Sequence, residues 1–67
     1  MGKFKVGDRV DTANGKGVII EIDDNDYKIS VKHDTYNRRL HSMYGKCENG
    51  HGWWYVSEEI RRDNESI

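Results

Sequence analysis

Apolar residues return at every second position through most of the first half of the chain, the spacing of strands that bury one face. Phe4-Lys5-Val6-Gly7-Asp8-Arg9-Val10 reads as a first strand, with Gly7-Asp8 marking a turn within it. Asn14-Gly15 is a strong short signal for chain reversal, and Gly17 follows where a bend or bulge is cheap. From Gly17 to Asp23 the chain is β-branched nearly throughout, which favours a pleated strand over a helix and puts Val18, Ile20 and Ile22 on one face. Asp23-Asp24-Asn25-Asp26 is turn-forming, because short Asp and Asn side chains bond their own backbone and tolerate left-handed conformations. Tyr27, Ile29 and Val31 then alternate with Lys28, Ser30 and Lys32, which completes a hairpin.

From His33 to Gly52 the period disappears, and a segment of that length without a repeat is predicted to be a long loop. Within it, Asn37 to Tyr44 has room for a short helix or irregular strand, and Asn49-Gly50 reads as a turn. Trp53-Trp54-Tyr55-Val56 is compact, aromatic and strand-like. Neighbours in a strand point to opposite faces, and the assignment made here is Trp54 and Val56 inward, Trp53 and Tyr55 outward. Ser57 is expected to cap a single helical turn, with Glu58 and Glu59 at its positive end. A last short strand near Arg61 follows, and residues 63–67 are expected to fray.

Length tightens this picture. Residues 1–67 form one domain, and at this size folding buries only about 60% of the unfolded chain's surface, so the core is thin. Hydrophobic and charged residues each make up 34% of the chain, close to the composition of disordered proteins, but the apolar residues are clustered enough to fold. Cys47 is the only cysteine, so no intrachain disulfide forms, which fits a reducing compartment. Met1 to Arg9 has no apolar run like that of a signal peptide, and no stretch has the length of a membrane span. The expectation is a soluble cytoplasmic protein with no membrane partner.

The net charge of −1 argues against strong general attraction to nucleic acid, yet the charge is unevenly spread. Residues 1–27 hold four Lys/Arg against six Asp/Glu, residues 28–46 five against one, and residues 47–67 two against five. The basic middle coincides with the loop. There Arg38, Arg39, His41 and Lys46 are interleaved with Tyr36 and Tyr44, a composition suited to stacking bases and contacting phosphates, or to pairing with an acidic protein patch. A simple solvated loop is the commonest reading of such a run. Outward Trp53 and Tyr55 would be anchors for a partner, against the plainer reading that they pack beneath the loop.

Other chemistry finds less support. His33, His41, Cys47 and His51 could supply soft metal ligands, but only Cys47 and His51 have a tolerable separation, and zinc needs a second pair. Cys47 and His51 could in principle form a nucleophile and base, yet no motif or orienting carboxylate surrounds them. No phosphate-cradling glycine pattern occurs, and the Asp23 to Asp26 run lacks the spacing and closing Glu of a calcium loop. The expectation is a protein that is not an enzyme and uses no metal or cofactor.

Three segments carry a resemblance. Lys5-Val6-Gly7-Asp8-Arg9-Val10 resembles the opening strand of KOW, Tudor and related barrels, and Gly17-Val18-Ile19-Ile20-Glu21-Ile22 is similar to their second strand. Trp53-Trp54-Tyr55-Val56 with Glu58, Glu59 and Ile60 resembles the closing strand and helical turn of small SH3-like barrel proteins, many of them phage-encoded. The resemblance implies an all-β fold: a small five-stranded SH3-like barrel with a long basic loop, residues 33–52, between strands 3 and 4. The loop departs from the pattern, and neither a methyl-lysine cage of packed aromatics with an acidic partner nor a proline-peptide groove maps onto the sequence. The function expected is a non-catalytic protein-binding module, a phage accessory protein that docks on and inhibits or redirects a host enzyme or nucleoprotein complex. Its partner-binding residues would be Trp53, Tyr55, Arg38, Arg39, Tyr36, Tyr44 and Lys46. The alternative is a KOW-like barrel that binds nucleic acid through the basic loop, and self-association through an exposed strand edge is a third possibility.

Overall fold

The structure is a computed structural model that describes residues 4–23 and 28–63. Five strands are formed: β1 (Arg9–Thr12), β2 (Gly15–Asp23), β3 (Lys28–His33), β4 (Gly52–Tyr55) and β5 (Ile60–Arg62). They make one antiparallel sheet in the order β4-β3-β2-β1-β5. The all-β expectation is met. A 3-10 turn, Ser57–Glu59, joins β4 to β5.

The first strand is shorter than the alternation of residues 4–10 predicts. Residues 5–8 form a tight turn in which the Asp8 amide donates to the Lys5 carbonyl at 3.1 Å and the Asp8 carboxylate accepts from the Lys5 amide at 3.0 Å. The Asn14-Gly15 reversal is present, and Gly15 supplies the positive φ of 114° that lets β1 return as β2. The acidic turn expected at Asp24 to Asp26, the Tyr27 position and the tail beyond Asp63 lie outside the described residues.

Register decides which side chains meet. Ile19 pairs with Val31, then the register shifts between Ile19 and Glu21, and Glu21 pairs with Ser30 and Ile22 with Ile29. This bulge overturns the expectation that Val18, Ile20 and Ile22 share one face: Ile19 is buried, and Ile22 joins the Ile19 face after the extra residue. The core is Val10, Ile19, Ile29, Val31, Tyr55 and Ile60, with Phe4 and Ile22 packed against it.

The expected face assignment in β4 is inverted. Tyr55 pairs with Ile29 and Trp53 with Val31, so both lie on the core side, whereas Trp54 pairs with Ser30 on the outer side. Tyr55 is 6% exposed and Val56 is 39% exposed, the reverse of the sequence expectation. Trp53, at 37% exposure, is open because β4 is an edge strand rather than because it points away from the core.

Tyr55 can turn inward because its hydroxyl has partners there. Asn14 Nδ2 donates to it at 2.8 Å, His33 Nε2 shares a hydrogen bond with it at 2.8 Å, and Thr12 Oγ1 lies 3.3 Å away. Thr12 also donates to the Gly15 carbonyl at 2.9 Å and accepts from the Asn14 amide at 3.0 Å. This knot ties the first hairpin to β3 and β4. His33 is only 1% exposed, and its Nδ1 has no hydrogen-bond partner of good geometry among the described residues. Burial pushes its pKa below the usual histidine range, an effect the backbone of Lys16 and Gly15 and the charge of Asp34 oppose and His51 reinforces.

At the chain's closing turn, Ser57 is the first residue of the 3-10 segment rather than its cap. The Glu59 side chain instead reaches back to accept from the Val56 amide at 3.0 Å, while the Glu59 amide donates to the Val56 carbonyl at 2.9 Å.

Candidate functional site

Residues 34–51 carry no strand, and no helix forms between Asn37 and Tyr44, yet the segment is closely tied down. His41 exchanges two backbone hydrogen bonds with Gly52, each 2.8 Å, which extends β4 by one bridge at its outer edge. The His33 amide donates to the His51 carbonyl, and the Asn37 amide donates to the Gly50 carbonyl at 2.8 Å. His51 is committed as well, with Nδ1 at 2.8 Å from the His33 carbonyl. The expected Asn49-Gly50 turn closes with the His51 amide donating to the Glu48 carbonyl at 3.1 Å.

Leu40 and Met43 are buried but stand apart from the main core cluster, so the loop brings its own apolar anchors. Met43 packs over Gly52. A Cβ on that glycine would lie 2.7 Å from Cys47 Sγ and would press into the Met43 side chain, so only glycine lets the loop approach β4 this closely. Cys47 is half-buried with its thiol 3.8 and 3.7 Å from the His41 and Ser42 carbonyls, and burial raises its pKa. A buried, uncharged thiol beside carbonyl oxygens is a poor nucleophile.

Past this anchor the backbone is unusual. Met43 and Tyr44 have φ of 58° and 60°, and Gly45 continues with 90°. Two successive non-glycine residues in the left-handed region cost roughly 1–2 kcal/mol each, and such strain persists only where surrounding contacts impose it. Here the contacts are the buried Met43 side chain and the His41 ring, whose Nδ1 accepts from the Met43 amide at 2.6 Å. The result is that Tyr44 is held out at 85% exposure.

Tyr44 does not stand alone. Its ring centroid is 5.4 Å from that of His41 and 6.1 Å from that of Trp54, and His41 and Trp54 are 5.2 Å apart. Trp53 adds a tilted contact with Trp54 at 5.7 Å, so the two indoles meet across the edge of β4. Below the cluster, on the outer face of the sheet, lies a depression of about 350 Å³ lined by Glu21, Asp23, Lys28, Ser30, Tyr44, Lys46 and Trp54. Cross-strand pairing explains the set: Asp23 opposes Lys28, and Glu21, Ser30 and Trp54 stand in one row across β2, β3 and β4. Lys46 bends from the loop to form an ion pair with Glu21.

Of the residues the sequence singled out, Tyr44 and Lys46 belong to this site, and Trp53 borders it through Trp54. Tyr55 is removed from it as a core residue. Tyr36 is exposed but packs edge-on against His51, with ring centroids 6.2 Å apart. Arg38 and Arg39 are exposed on the turn after Asn37, whose Oδ1 accepts from the Arg39 amide at 3.0 Å, and neither guanidinium forms an ion pair among the described residues. Trp54, Glu21, Asp23 and Lys28 were not assigned to a site from sequence, and His41 only as a member of the basic loop and a candidate metal ligand. The signal for Trp54 lies in the choice between the two alternating faces of β4, which period-2 spacing alone leaves undecided.

No group of three or more His, Cys, Asp or Glu side chains suited to a metal ion occurs among the described residues, and no described helix is long and apolar enough to cross a membrane. Comparison with known proteins returns no matching family model, no matching curated protein and no matching solved structure.

Proposed function

We propose that this chain is a non-catalytic protein-binding module with an SH3-like strand arrangement. A five-stranded antiparallel meander whose last strand returns beside the first supports the SH3-like reading, as does the bulged, long β2 that lets one sheet curve around a single core. The observation that carries the function is the strained presentation of Tyr44 beside Trp54 and His41, above a depression lined by charges of both signs. Large, rigid aromatic side chains with a polar edge are the residues that dominate protein interfaces. Their mounting on a hydrogen-bonded edge strand and an anchored loop lowers the entropic cost of binding. A partner of this kind fits a phage accessory protein that docks on a host enzyme, the reading implied by resemblance.

The balanced charge of the depression favours protein over nucleic acid, since phosphate tracking draws on uncompensated cations. The test is a pull-down with immobilised protein from nuclease-treated bacterial lysate, comparing wild type with Tyr44→Ala and Trp54→Ala. A protein retained by the wild type and lost by both variants, with all three folded by circular dichroism, is expected. Equal retention by the variants overturns the site, and retention that disappears with nuclease moves the function to nucleic-acid binding through Arg38 and Arg39.

A further inference from the structure

Lys46 reveals what the depression accepts. It is the chain's own ammonium, delivered by the loop to Glu21 in a depression that Trp54 and Tyr44 also line, so that a carboxylate and two aromatic side chains share one site. The two rings are tilted by 49° with centroids 6.1 Å apart, an open wedge rather than a closed stack. Lys28 also lines the depression, but it stands opposite Asp23 in the strand register, one row away from Glu21.

We propose that the depression binds an arginine side chain presented by a partner protein, and that Lys46 is an internal competitor which that arginine displaces from Glu21. The inference rests on the protein-binding reading and names the group recognised. A guanidinium suits the wedge better than the resident ammonium does. It is planar, so it can lie against an indole face while its fork donates two parallel hydrogen bonds to the Glu21 carboxylate, and it is more weakly hydrated. Lys46 is about half exposed even when paired, as is Glu21, and exposed ion pairs of this kind are weakly held, so the exchange has little to overcome.

The test uses the full chain and an acetylated glycine-arginine-glycine amide as probe, with citrulline and lysine in place of arginine as controls, followed by the tryptophan indole signals in NMR. The arginine peptide is expected to shift the Trp54 indole, the lysine peptide to do so more weakly, and the neutral citrulline peptide not to do so. Lys46→Gln should tighten the arginine peptide by about threefold, the effect of removing a weak internal competitor, and Glu21→Gln should abolish the response. Unchanged or weaker binding by Lys46→Gln, equal binding of citrulline, or no Trp54 response overturns the proposal. If the partner captured from lysate is still lost with Trp54→Ala in that event, the binding module stands and only its arginine specificity falls.

Discussion

Replacing Tyr55 by Phe removes one oxygen atom and tests whether the buried polar knot holds the hairpins together. The Tyr55 hydroxyl meets His33 Nε2 at 2.8 Å, Asn14 Nδ2 at 2.8 Å and Thr12 Oγ1 at 3.3 Å. These partners do not lose equally. Asn14 is exposed and can turn to water, and Thr12 keeps the Gly15 carbonyl, so neither is stranded. His33 is 1% exposed and its other ring nitrogen has no hydrogen bond of good geometry among the described residues, so the variant removes the well-formed side-chain bond of a buried imidazole. Stranding a buried polar group of this kind costs about 1–3 kcal/mol, and the retained phenyl ring adds no cavity to that figure. For a domain of this size about 2 kcal/mol lowers the melting temperature by roughly 8–16 °C. Thermal and urea unfolding by circular dichroism measure it, with the m-value unchanged if the native sheet is intact. A loss below about 0.5 kcal/mol refutes the reasoning, because it would mean that His33 finds water or another partner and the knot is not what seats Tyr55 inward.

Further outcomes follow from the same structure. Because burial depresses the His33 pKa, the unfolded chain takes up that proton first as pH falls below about 6.5; stability from this group is fully present above that pH and declines below it, by at most about 1.4 kcal/mol per unit, until the folded ring also protonates. An NMR titration that places the folded His33 at or above its ordinary value contradicts this. Gly52→Ala forces a methyl group against Met43 and Cys47, so a loss of about 1–3 kcal/mol and faster reaction of Cys47 with a thiol reagent are expected, and unaltered thiol reactivity would show that the loop does not rest on that glycine. Tyr44→Gly relieves a left-handed non-glycine residue while deleting the most exposed ring of the cluster. Its melting temperature should hold or rise while partner capture is lost; a clear destabilisation would make Tyr44 a structural residue rather than a presented one.

The strands were legible where one physical signal dominated. The β-branched run of Gly17 to Asp23 and the alternation through Ile29 and Val31 became β2 and β3, and the Asn14-Gly15 reversal joined β1 to β2. Misreadings arose where the period-2 rule met a feature it cannot encode. One extra residue between Ile19 and Glu21 exchanges faces within β2, and no composition cue separates Ile19 from its β-branched neighbours. In β4 either face of Trp-Trp-Tyr-Val is apolar, and transfer energy alone favours the Trp54 and Val56 pair for the core, because the other pair carries the Tyr55 hydroxyl. What overrides it is the presence of His33, Asn14 and Thr12 at the position where the Tyr55 hydroxyl arrives, a satisfaction condition set by three other segments of the chain.

The site follows from how little core so short a chain can build. The sheet buries one face in a single cluster, and the opposite face of β3 and β4 would be left to water without a second cover. Residues 34–51 provide it with two anchors, Leu40 and Met43, and a backbone clasp between His41 and Gly52. Such a cover cannot be made flush by two apolar side chains, so its rim is finished by aromatic residues that are each partly open: Trp54 from the sheet, Tyr44 and His41 from the loop. The same shortage that puts aromatics at the rim also leaves the charged side chains of Glu21, Asp23 and Lys28 on the less covered part of that face. On the proposed binding reading, recognition would fall at the boundary between the covered and uncovered halves of the outer face, on a frame fixed by the sheet. That boundary, rather than the freely exposed Arg38 and Arg39, is where substitution should change what the protein binds without changing how it folds.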